Sequence, residues 1–101
     1  INNPRIVMQM QPEWADGVHH LFVVTTAHKD DFVAHLAKHN IIAAYHYPVP
    51  CHLQKAYTHL GYKEGAFPKA EYLAANCVSL PMFAELTNDE ISRVIEAVNS
   101  F

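Results

Sequence analysis

Hydrophobic and polar positions along this chain switch repeatedly between a period suited to strands and one suited to helices. Arg5 to Gln9 alternate weakly and predict a short strand, broken by the turn-rich run from Pro12 to Gly17. Val18 to Thr26 is dense in β-branched and aromatic residues, which predicts an interior strand. Lys29-Asp30-Asp31 then places two acids where a helix dipole is positive. Phe32, Val33, Leu36 and Ala37 form one apolar helical face. Asn40 suits a left-handed cap with Ile41 folded back on the last turn, so this helix is predicted to end near His39.

Ile41 to Tyr47 predicts a second strand, stopped by Pro48-Val49-Pro50. Two prolines at that spacing remove two backbone donors and stiffen the loop. Leu53, Ala56, Tyr57 and Leu60 predict a short helix ending at Gly61. After a turn at Gly65-Ala66-Phe67, Pro68 opens another helix, with Ala70, Leu73, Ala74 and Cys77 along one side. Val78-Ser79-Leu80 before Pro81 reads equally as strand or loop. Thr87-Asn88-Asp89-Glu90 is a capping box, and Ile91, Val94, Ile95, Val98 and Phe101 continue a helical stripe. The expectation is an α/β fold of the α+β sandwich type, a small sheet covered by helices in a single domain over residues 1–101.

Composition narrows the possible functions. At 101 residues and 50% hydrophobic, the chain can bury about 65% of its unfolded surface. The longest apolar run, Ile41 to Tyr45, is far short of the ~20 residues of a membrane span. A net charge of −3 without a Lys/Arg cluster gives no footprint for nucleic acid or anionic lipid. Two cysteines, Cys51 and Cys77, do not make a disulfide framework, so reduced thiols and a cytoplasmic setting are expected. The chain begins at Ile1, which suggests a segment of something longer; a processed product would look the same.

The informative stretch for chemistry runs from Tyr45 to Gln54. Two His, two Tyr and a Gln there offer hydrogen bonds and stacking surfaces for a polar, ring-shaped ligand such as a sugar or nucleotide. Composition alone favours an amphipathic strand whose Tyr and His keep their polar tips in water. Eight histidines raise the question of metal, but His35 and His39 lack the HExxH glutamate and read as a solvated helix face. No metal site is expected. The three glycines are too sparse for a phosphate loop, and none of the five lysines lies inside an apolar run. No catalytic residue is assigned.

Four blocks then carry a resemblance: His20-Leu21-Phe22-Val23-Val24; His46-Tyr47-Pro48-x-Pro50-x-His52-Leu53-Gln54; Gly61-Tyr62-x-x-Gly65-x-Phe67-Pro68-x-Ala70-Glu71; and Ser79-Leu80-Pro81-Met82-Phe83 with Leu86-Thr87-x-x-Glu90. In this order the chain resembles, over residues 18–101, the C-terminal part of the DegT/DnrJ/EryC1/StrS family, pyridoxal-phosphate-dependent sugar aminotransferases. The resemblance implies the small C-terminal domain of the aspartate-aminotransferase type of fold, cut from a homodimeric enzyme. It implies a nucleotide-sugar substrate, an amino-acid donor (typically glutamate), and pyridoxal 5'-phosphate held by a large domain absent here. No cofactor is expected on this fragment, which should be inactive alone. The resemblance makes His46 and Tyr47 candidate substrate contacts, with His52 and Gln54 as second choices. Asn40 stands where many members have Gly, Thr25 where an Arg is common, and Cys51 where an aliphatic is common. The alternative is a free-standing sugar- or metal-binding module without catalysis.

Overall fold

A computed structural model describes residues 1–101. Three strands, β1 (Val7–Met8), β2 (Phe22–Thr25) and β3 (Cys77–Leu80), form one antiparallel sheet in the order β1-β2-β3. Three α-helices accompany them: α1 (Lys29–Lys38), α2 (Pro68–Asn76) and α3 (Asn88–Asn99). Two 3-10 turns, Cys51–Leu53 and Lys55–Leu60, replace the single short helix expected before Gly61. The α+β expectation is met, with β2 in the interior of the sheet.

Strand lengths follow the pairing partners. β2 was expected over residues 18–26, but only four residues pair, Phe22 opposite Leu80 through Thr25 opposite Cys77. Pro81, without an N–H, ends the ladder on one side. On the other, α2 runs into β3 with no loop, and Cys77 is the first strand residue rather than part of the helix face. Val78-Ser79-Leu80 is therefore strand, buried throughout. The strand expected over Ile41–Tyr47 does not form. Only Ala44 pairs, exchanging both backbone hydrogen bonds with Ser79 at 3.1 and 2.8 Å. Ile41 is drawn away by the end of α1, and Pro48 and Pro50 can donate nothing on the far side.

That α1 terminus is a Schellman motif: Asn40 N–H donates to Ala37 O and Ile41 N–H to Leu36 O, each at 3.0 Å. Asn40 has φ 57°, the left-handed position expected of it. Ile41 is thereby turned into a core it shares with Phe32 and Leu36 of α1, Val24, Val78, and Val98 of α3. Phe22/Leu80 and Val24/Val78 face this helical layer. Alternation sends Val23/Ser79 and Thr25/Cys77 to the opposite face of the sheet.

At α3, Thr87 Oγ1 accepts from Glu90 N–H, and Glu90 Oε2 accepts from Thr87 N–H at 2.9 Å. Thr87→Ala should cost about 1 kcal/mol, visible as a lower thermal midpoint. No change in midpoint would contradict the cap. The helix stops at Asn99, and Phe101 packs beyond it against Phe32, ring centroids 5.0 Å apart. His35, read as solvated, instead lies with Nε2 2.8 Å from Ala97 O and ties α1 to the end of α3.

Candidate functional site

Ala44 fixes the start of the candidate segment to the edge of β3. Two residues on, His46 Nδ1 lies 2.9 Å from Ser79 Oγ, on the sheet face opposite the α1/α3 layer. Because pairing stops at Ala44, strand alternation no longer drives His46 and Tyr47 to opposite sides. Both line one open cleft of about 460 Å³, and so do His52 and Gln54. Tyr47 is 71% exposed, and its ring meets His46 edge-on at 5.4 Å. Pro50 is extended, and Gln54 Nε2 closes the loop by donating to Val49 O at 3.4 Å.

The facing wall is α2, through Ala70, Leu73 and Ala74, with Phe67 just before it and buried Cys77 just after. The cleft is largely apolar, and no Asp, Glu, Lys or Arg lines it. Such a lining with a few placed polar groups is the usual make-up of a small-molecule site. Lys29, the lysine tied to this wall, donates its amine to Ala74 O at 3.0 Å and lies 5.1 Å from the Tyr45 ring. No lysine lines the cleft itself. No three His, Cys, Asp or Glu side chains gather into a group that could hold a metal ion.

One charged residue beside the cleft is not evident from residue types alone. Glu71, in the first turn of α2, accepts hydrogen bonds from Gly65 N–H at 2.8 Å and Phe67 N–H at 3.0 Å. His52 Nε2 lies 2.9 Å from its Oε1. The signal was available, since an acid four residues after Phe67 is placed to reach back to the free donors before a helix. The Gly65 N–H foremost, then the Phe67 N–H, and then His52 hold the Glu71 carboxyl below its ordinary value of 4.5. A depressed pKa contributes stability that is present above 4.5 and lost as pH falls through the lower folded value. Glu71→Gln should therefore be less stable than wild type at neutral pH, with the gap closing in acid. Urea midpoints from about pH 7 to about pH 3 test this, and a pH-independent gap would contradict it.

A second concavity, about 430 Å³, lies between Met8, Phe22, Met82, Ile91 and Ile95. It is almost wholly apolar and contains none of the candidate residues. No helix is long and apolar enough to cross a membrane.

The profile of the DegT/DnrJ/EryC1/StrS aminotransferase family matches residues 2–99, and the chain belongs to that family. It is 38% identical over its whole length to the dTDP-3-amino-3,6-dideoxy-alpha-D-galactopyranose transaminase of Aneurinibacillus thermoaerophilus, covering 27% of that protein. It is 38% identical over 98 residues to the dTDP-3-amino-3,4,6-trideoxy-alpha-D-glucose transaminase of Streptomyces venezuelae, covering 97% of this chain and 26% of that protein. Among solved structures, S. venezuelae DesV in complex with a ketimine intermediate superposes with TM-score 0.92 at 38% identity, over 96% of this chain and 26% of that one. The chain thus spans about a quarter of the length of the relatives it matches.

Proposed function

We propose that this chain is the C-terminal domain of an enzyme that transfers an amino group from glutamate to a keto-sugar linked to a nucleotide. His46, Tyr47, His52 and Gln54 are its nucleotide-sugar contacts. The observation that carries this reading is their convergence on one cleft, in a family whose similar members are named as dTDP-sugar transaminases. Membership of that family supports the reaction, and the cleft offers donors, acceptors and an apolar wall against which a deoxygenated sugar ring can lie.

The shape of the chain supports its being part of a larger body. Only 14 of 101 residues are buried, and the radius of gyration is 15.5 Å, against about 13 Å for a compact domain of this length. Met10, Trp14, Val18 and Ile42 are each at least 88% exposed. In the intact enzyme, a homodimer in this reading, other chain segments cover such surface.

Pyridoxal phosphate, when bound, supplies the electron sink for moving the amino group. In this reading the remainder of the enzyme holds the cofactor, and this chain's part is to bind and orient the sugar in a cleft that no lysine lines. Expressed from its full reading frame, the enzyme should aminate a dTDP-linked keto-sugar at the expense of glutamate. The 101-residue chain should neither do so nor turn yellow with pyridoxal phosphate. A stoichiometric yellow adduct on the short chain, or a full-length enzyme inert towards every nucleotide-linked keto-sugar, would overturn the proposal.

A further inference from the structure

The two histidines of the cleft are held by chemically different partners. His46 Nδ1 meets the Ser79 hydroxyl, which can donate or accept, so that contact permits either tautomer. His52 Nε2 meets the Glu71 carboxylate, which when ionised only accepts. The same carboxylate takes N–H donors from Gly65 and Phe67, so both of its oxygens are committed to receiving hydrogen. The His52–Glu71 contact is well sheltered, with the two side chains 8% and 18% exposed. His52 Nδ1 has no hydrogen-bond partner within the chain, yet no unpartnered side-chain nitrogen or oxygen is sealed from solvent. Nδ1 is therefore the ring atom open to a visitor, on a residue that lines the cleft.

We propose that Glu71 is a positioning residue that fixes His52 as the Nε2–H tautomer, so that the neutral ring presents Nδ1 as a hydrogen-bond acceptor to the ligand. The group recognised there is a donor, a sugar hydroxyl or a base N–H, rather than an unprotonated phosphate oxygen. The carboxylate also ties together three segments. They are the 3-10 turn carrying His52, the turn at Gly65–Phe67, and α2. Phe67 reinforces the setting by packing edge-on against the His52 ring, centroids 4.8 Å apart. This proposal rests on the reading of His52 as a nucleotide-sugar contact.

Long-range proton–nitrogen NMR spectra of the full chain test the tautomer directly, at a pH where the ring is neutral. Wild type should show His52 with hydrogen on Nε2 and an unprotonated Nδ1, and Glu71→Gln should show a mixture, since an amide can donate as well as accept. A wild-type His52 carrying its hydrogen on Nδ1 overturns the proposal even if the variant fails to fold. In the full-length enzyme, Glu71→Gln and His52→Ala should each raise KM for the nucleotide-sugar about tenfold, with the glutamate half-reaction unchanged. The double variant should be no worse than His52→Ala alone, as expected of residues acting as one unit. If the tautomer shifts in Glu71→Gln but His52→Ala leaves that KM unchanged, the substrate reading fails while the positioning of the ring stands. If His52→Ala raises KM and Glu71→Gln moves neither tautomer nor KM, the positioning claim is overturned.

Discussion

Phe32→Ala is expected to remove most of the stability of this fold. Phe32 is 0% exposed, and its ring joins α1 to Phe101 beyond α3 as well as to the buried face of the sheet. Removing a buried phenyl ring costs about 3–5 kcal/mol, from lost transfer energy and the cavity left behind. Single domains have only about 5–15 kcal/mol in total, and this chain has a core of nine residues and an extended outline. The loss therefore consumes most of its stability. Urea unfolding followed by circular dichroism should show the midpoint falling by more than about 1 M, or no cooperative transition at all. Val18→Ala, at a position 97% exposed, serves as the control and should stay within about 0.5 kcal/mol of wild type. A Phe32→Ala variant as stable as that control would mean the core is not where the structure places it.

His46→Ala and Tyr47→Phe in the full-length enzyme should each lower kcat/KM for the nucleotide-sugar roughly 5- to 150-fold, the equivalent of about 1–3 kcal/mol of hydrogen bonding. Ser79 anchors His46 through Nδ1, which leaves Nε2 without a partner in the chain and free for ligand. Pro48 and Pro50 restrict the loop that follows, so less conformational entropy is lost when ligand orders these side chains. Tyr47→Phe removes only the hydroxyl and keeps the ring against His46, so any loss reports a polar contact. Most of the effect should fall on KM for the nucleotide-sugar in steady-state assays. If both variants stay within twofold of wild type, the loop is scaffold and the assignment fails.

Elements fixed by local interactions were the readable ones. The Thr87–Glu90 box and the Asn40–Ile41 cap each close within a few residues, so their residue types suffice to place them. Strand limits depend on a partner far away in sequence. β2 stops where Pro81 ends its neighbour, and Ile41–Tyr47 keeps one bridge because Ser79 is the sole residue it pairs with. His35 looked solvated on its own helix wheel, yet Ala97 of α3 arrives 62 residues later to accept its hydrogen bond. The candidate loop stood out through its prolines and its clustered His and Tyr. The opposite wall, Ala70, Leu73 and Ala74, carries no chemistry of its own and became visible only when α2 was placed across from that loop. Glu71 could have been noticed as a helix-start acid, but its reach to His52 is a tertiary contact that spacing does not encode.

The most direct measurement is rapid mixing of the full-length enzyme in its two half-reactions, comparing wild type with the His46→Ala, Tyr47→Phe double variant. If this domain binds and orients the sugar while the rest of the enzyme holds the cofactor, the two halves separate cleanly. The glutamate half-reaction should keep its rate within twofold, and the nucleotide-sugar half-reaction should slow at least fivefold at subsaturating sugar. Equal slowing of both halves, or no change in the nucleotide-sugar half, would contradict it.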